Sequence, residues 1–261
     1  YYGAGYVHGL RPSFFLAHID EKNEIEGCAV YRLGHELARD LLLLPALSQE
    51  EFIVIRKESA RLFLWNQIFF IRKSGRYALG FALKEYGIQE YDSKVIQGSL
   101  GKILEDELEN YMYHEVGEIK GDVFSRDLWR EVIAAFPHTP VEILARVVKD
   151  LLADTNEYGK LRYIMRERKT ASLAFHVAFL EGLAKELFPE IIEAFKEFMK
   201  TRNWALIEQA ISMGLHTATR YAKTISTIFQ RGKEKGDMKE AQNEMTRRLL
   251  APLGVGKDKG D

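Results

Sequence analysis

One stretch of the sequence, Ile103 to Glu118, combines a helical pattern with ionisable residues on the side that should be buried. At about 100° per residue, its apolar residues form a single arc, as in a helix that packs against a core. Several polar side chains fall inside that arc: Glu107, Tyr111, His114, Glu115 and Glu118. An unpaired carboxylate in a protein interior is costly, so these side chains need partners, protons or a metal ion.

Helical periodicity extends over most of the 261 residues, and only six prolines interrupt it. Capping signals and Pro or Gly breaks separate about nine or ten helices. The clear β pattern lies near the start, where two alternating segments flank a turn at Asn23 within residues 13–33. We therefore predict an all-α fold, a multi-helix bundle with a short N-terminal β-hairpin.

The predicted helices begin directly after the hairpin. The first covers residues 35–44 and stops at Pro45, and the second starts with the capping box Ser-Gln-Glu-Glu and covers residues 48–72. The helix that carries the buried polar residues is predicted over about residues 93–121. Strand is therefore expected mainly within residues 13–33.

The chain has no linker rich in Pro, Gly or Ser that would divide it. We predict a single helical domain over residues 1–251, with residues 1–33 as its hairpin-bearing N-terminal segment. The end of the chain, residues 252–261, is charged and Gly-rich and has no apolar periodicity. It is predicted to be a disordered tail.

Charge and cysteine content restrict the partners. The chain has 37 basic and 38 acidic residues and one cysteine, which excludes an internal disulfide and a zinc site of paired cysteines. The balanced charge disfavours nucleic acid as a partner, and no segment has the length of a membrane span. The N-terminus does not resemble a signal peptide. We expect a soluble, cytoplasmic protein that binds a small molecule or another protein, with a homo-oligomer left open.

Histidine and glutamate together form the donor set of iron, manganese and zinc sites. His114 and Glu118 lie one helical turn apart, with Glu107 on the same face. Ligands from other helices are also needed: Glu58 lies on an apolar stripe of the helix predicted over residues 48–72, and His176 lies within another apolar arc. The predicted metal ligands are Glu58, Glu107, His114, Glu118 and His176, and the candidate catalytic residues are Tyr111 and Glu115.

The ferritin-like di-iron pattern is not met by these residues. It requires a Glu three positions before each ligating His. Tyr111 and Leu173 stand at those positions before His114 and His176. A metal site between helices therefore remains a candidate, whereas the ferritin-like di-iron site is rejected.

Two classes of function remain. In the first, the protein binds a divalent ion (iron, manganese or zinc) or is a metal-dependent enzyme built on these residues. In the second, it is a non-catalytic helical interaction module in which arginines neutralise the buried carboxylates. The basic run at residues 160–169 could supply such arginines. Its Tyr163 also fits a minimal nucleic-acid pattern, although a solvated helix face is the favoured interpretation.

Overall fold

The computed structural model describes residues 1–7 and 11–254, and its N-terminal part is a curled five-stranded sheet. The strands are β1 (Tyr2–Val7), β2 (Arg11–Ile25), β3 (Cys28–Arg39), β4 (Ala46–Gln49) and β5 (Phe52–Arg56). They lie in the order β1-β2-β3-β5-β4, and only the β3–β5 pair is parallel. Register shifts between Leu16 and Glu21 of β2 interrupt its pairing with β3, and such bulges bend a strand.

The predicted all-α fold with only a short hairpin is wrong, because the chain forms a sheet of five strands, the first beginning at Tyr2 and the last ending at Arg56. Residues 35–39 of the helix predicted over 35–44 are in fact the end of β3, which pairs with β2 up to the Phe15–Arg39 position, and residues 40–44 form an irregular segment. The predicted start of the 48–72 helix is β4, a turn with φ of 53° at Glu50, and β5. Strand is therefore not confined to residues 13–33.

Burial explains why the sequence of β5 lacks the alternating pattern that predicts a strand. Ile53, Val54 and Ile55 are all buried, so both faces of the strand are covered and the apolar pattern does not alternate. Periodicity alone cannot distinguish such a short apolar run from a buried helix segment. In β3, pairing with β2 and a buried ion pair between Glu36 and Arg56 override the local helical preference of residues 35–39.

Eleven α-helices follow in the part of the chain that the structure describes, and helices hold 65% of the residues. They are α1 (Lys57–Phe69), α2 (Arg76–Glu85), α3 (Ser93–Lys120), α4 (Arg126–Ala135), α5 (Pro140–Thr155), α6 (Lys160–Arg166), α7 (Thr170–Ala178), α8 (Gly182–Leu187), α9 (Pro189–Thr201), α10 (Trp204–Lys235) and α11 (Met238–Met245). The helix predicted over 93–121 is α3, and the Asp92 side chain caps it by accepting from the backbone N–H groups of Lys94 and Val95.

A short π-helical segment, Thr246–Leu250, and a 3-10 turn, Ala251–Leu253, end the described chain. The tail predicted over residues 252–261 thus begins inside an ordered turn, and residues 255–261 lie outside the described residues. The single domain predicted over residues 1–251 stays a prediction.

The main core lies between the helices and one face of the sheet, where Cys28, Val30, Ile53 and Ile55 belong to the same buried cluster as the helical side chains. A smaller cluster on the opposite face contains Phe15, Ala17, Leu33 and Val54. Helices α3, α5 and α10 supply much of the larger cluster. The buried polar residues of α3 therefore lie against α5 and its neighbours.

Candidate metal centre

A close approach of α3 and α5 positions the candidate site. A Cβ atom at Gly117 would lie 2.1 Å from the backbone carbonyl oxygen of Ala153, so this contact requires glycine. His114 precedes Gly117 by almost one turn, and Asp154 follows Ala153 directly. The contact therefore brings the middle of α3 to the C-terminal end of α5.

His114, Glu115 and Glu118 form a compact group of possible metal ligands. One nitrogen of His114 and one carboxylate oxygen of each glutamate lie within 4.8 Å of one another. Ligand atoms lie about 2.0–2.2 Å from a zinc-like ion, so two of them can be at most about 4.4 Å apart. Only small side-chain movements would be needed to place all three on one ion.

Asp154 orients His114. The Nδ1 atom of His114 lies 2.6 Å from the Oδ1 atom of Asp154, which leaves Nε2 as the available ligand atom. Burial lowers the pKa of His114, but the charge of Asp154 and this hydrogen bond outweigh that effect and raise the pKa to about 9. A carboxylate behind a ligating histidine is the usual second partner in metal sites.

Asp154 itself is buried and has two further cationic or polar neighbours. Its Oδ2 atom lies 2.9 Å from the Nζ atom of Lys160 and 4.0 Å from Nδ1 of His176. Burial would raise the pKa of Asp154, but Lys160 and His114 hold it well below its usual range. Asp154 was not among the residues predicted from the sequence, although it contacts two of the predicted histidines.

Glu115 and Glu118 place two carboxylates in a partly dehydrated site. Glu115 is buried and Glu118 is half-buried. Burial, followed by the charge of Glu118, raises the pKa of Glu115 to about 7. A divalent cation between the two carboxylates would relieve both the desolvation and the repulsion.

His176 lies beside Asp154 and outside the ligand group. Its side chain is 6% exposed, and its Nε2 atom has no hydrogen-bond partner among the described residues. Burial and the nearby Lys160 lower the pKa of His176 to about 3, which keeps the ring neutral. The structure therefore places His176 behind the candidate centre.

The other predicted site residues lie elsewhere. Glu107 accepts a 2.7 Å hydrogen bond from the Ser172 hydroxyl, and burial raises the pKa of Glu107. The ring of Tyr111 packs edge-on against Phe63. Glu58 is exposed at the start of α1, where it lies 2.9 Å from Nδ1 of His35. None of these three residues belongs to the His114–Glu115–Glu118 group.

Arginines do not neutralise the acidic residues of α3 that face the core. In the described part of the chain, no guanidinium group lies within hydrogen-bonding distance of Glu107, Glu115 or Glu118. From the basic run at residues 160–169, Lys160 reaches Asp154 as described, and Arg166 lies over the rings of Tyr113 and Tyr163. The run thus supplies a lysine to the centre and no arginine.

No helix in residues 1–7 and 11–254 is long and apolar enough to cross a bilayer.

Comparisons with known proteins give a family and no activity. No curated protein and no solved structure matches the chain. Two models from one family of unknown function, DUF6866, do match: the N-terminal domain over residues 1–56 and the C-terminal domain over residues 61–248. The first range coincides with the sheet, which ends at Arg56, and the second covers most of the helices. The chain therefore belongs to the DUF6866 family and carries both of its domains.

Proposed function

We propose that the protein binds one divalent transition-metal ion through His114, Glu115 and Glu118. The observation that carries the proposal is the grouping of these three donors within 4.8 Å. One imidazole nitrogen and two carboxylate oxygens suit zinc, manganese or ferrous iron. Asp154 fits the proposal because its hydrogen bond to Nδ1 of His114 leaves the other ring nitrogen, Nε2, free to ligate an ion.

The donor set favours a catalytic over a structural metal. Three protein ligands leave a coordination position open, as in catalytic zinc sites, whereas structural sites use four protein ligands. When bound there, the ion would lower the pKa of a coordinated water molecule and polarise a substrate. Within the chain, Asp154 fixes the tautomer of His114, and Lys160 keeps Asp154 ionised at 2.9 Å. The finer proposal is a metal-dependent enzyme that activates water.

Metal analysis of protein purified without a histidine tag tests the proposal. We expect roughly one ion per chain, loss of that ion in His114→Ala, and normal content in His216→Ala, since His216 is exposed on α10. Asp154→Asn should weaken metal affinity by about 10- to 100-fold, the usual effect of removing a partner behind a ligand.

Chelation supplies an independent readout. A ligand that binds only the folded state stabilises it according to its occupancy, so EDTA should lower the melting temperature of the wild type and leave that of His114→Ala unchanged. Equal metal content in wild type and His114→Ala, together with no effect of EDTA on either, would refute the proposal. The alternative of an interaction module loses support because no described arginine contacts Glu107, Glu115 or Glu118, the core-facing carboxylates of α3.

A further inference from the structure

A cavity of about 280 Å³ adjoins the proposed metal centre. It lies between the end of α3, the segment that follows α3, α5 and α10. Glu118 contributes to its wall, so one proposed metal ligand is shared between the centre and the cavity. The apolar part of the wall includes Val123, Phe124, Leu152 and Leu215.

Lys149 is the buried charged residue of this wall. It is 5% exposed, and its Nζ atom donates a long hydrogen bond, 3.4 Å, to the backbone carbonyl oxygen of Phe124. No carboxylate of the described residues lies within 4.0 Å of that nitrogen. The other lysine of the cavity, Lys120, is exposed at the rim together with Asp122 and Glu157.

A buried ammonium group without a close counter-ion is costly unless something pairs with it. Burial lowers the pKa of Lys149, and the nearby charge of Glu118 opposes this effect only in part. Because no carboxylate of the described residues lies within 4.0 Å of its Nζ atom, an anionic group inside the cavity would be the close partner that Lys149 lacks.

We infer that this cavity binds a small organic acid, with its apolar body against the aliphatic wall and its anionic group at Lys149. The role of this acid as the substrate of the metal centre rests on the proposed function, whereas its binding at Lys149 does not. The volume lies just below the range of about 300–1,000 Å³ typical of small-molecule sites. A nucleotide or a peptide is therefore too large, and a short-chain monocarboxylic acid has suitable chemistry.

Titration of hexanoate into the full chain, followed by methyl NMR and calorimetry, tests this inference. We expect saturable binding that perturbs the methyl signals of Leu152 and Leu215. Lys149→Met keeps the length and apolar character of the stem and should weaken binding by at least about tenfold, because it removes a desolvated charge pair. Lys120→Met, the matched change at the exposed rim, should leave the affinity unchanged.

Two further probes separate the contribution of the anionic group of the ligand from that of its apolar chain. Hexanol, which has the body without the charge, should bind at least about tenfold more weakly than hexanoate. Inorganic phosphate, which has charge without the apolar body, should not displace hexanoate. If Lys149→Met fails to fold, these comparisons and the methyl map in the wild type decide the question. Equal binding of hexanol and hexanoate, or signals perturbed away from Leu152 and Leu215, would overturn the inference.

Titrations with EDTA and with added zinc distinguish this inference from the proposed function. Zinc should tighten hexanoate binding, because it removes the charge of Glu118 from competition for Lys149, and by linkage hexanoate should tighten zinc binding equally. Hexanoate binding that depends on Lys149 in a protein that binds no metal would refute the proposed function and retain the acid site. Zinc binding without hexanoate binding would retain the proposed function and refute the acid site.

Discussion

The pairing of His114 with Asp154 predicts that the chelated protein becomes less stable as the pH rises from 6.5 to 9. The pKa of His114 is about 9 in the folded protein, against an ordinary value of 6.5. The native state therefore keeps a proton that the unfolded chain releases. Stability from this pair is fully present below pH 6.5 and is lost as the pH rises through about 9.

The size of the effect follows from the two pKa values. One pKa unit corresponds to about 1.4 kcal/mol, so the full difference corresponds to about 3 kcal/mol. The side chain of His114 is 23% exposed, and partial solvation reduces the effect to about 2–3 kcal/mol. Glu115 acts in the same direction at lower pH, since its pKa is raised from 4.5 to about 7 and its ionisation destabilises the native state.

Urea unfolding in EDTA at a series of pH values measures this loss. The wild type and the exposed-site control His216→Gln should show it between pH 6.5 and pH 9, and His114→Gln should not. With excess zinc, the stabilisation by metal should increase with pH, because binding displaces the proton of His114. If His114→Gln loses stability with pH as the wild type does, His114 is not paired with Asp154 in solution, and this prediction is wrong.

Three other changes test the contact between α3 and α5, the buried ion pair of the sheet and the end of the chain. Gly117→Ala should destabilise the protein by about 1–3 kcal/mol in urea unfolding, since its Cβ would overlap a backbone carbonyl of α5, whereas Gly98→Ala on the exposed face of the same helix should stabilise it by about 0.5–1 kcal/mol. Glu36→Gln should cost about 3–5 kcal/mol by leaving the fully buried Arg56 without its carboxylate, and a smaller loss would contradict the buried pair. Deletion of residues 254–261, which have no apolar periodicity, should change the melting temperature by about a degree or less.

Local signals predicted the helices around the site well. The ends of α3 depend on a capping aspartate and a glycine, and α5 begins at Pro140 after a capping Thr139. Such signals act over a few residues and can be read without knowledge of the fold. The grouping of His114, Glu115 and Glu118 also follows from their spacing on one helix. However, a pattern within one helix cannot show which of its polar residues are contacted by residues of other helices.

The sheet could not be predicted in the same way because it depends on contacts between distant segments. The pairing of β3 with β5 is parallel and joins residues 29–33 with residues 52–56. This error also misplaced Glu58, which was assigned to the middle of a helix that covers residues 48–72. In the structure, α1 begins at Lys57, so Glu58 is exposed in its first turn and pairs with His35.

Asp154 shows what a search of single helices misses. Its neighbour one turn earlier, Asp150, is exposed, so the two residues together resemble the polar face of an amphipathic helix. Asp154 becomes part of the centre only because Gly117 lets α5 approach α3 closely enough for a 2.6 Å contact with His114. The proposed ligands thus lie on one helix, but the charge that orients His114 is supplied by another. A small residue one turn from a candidate ligand is the sequence feature that could direct a search for such a partner.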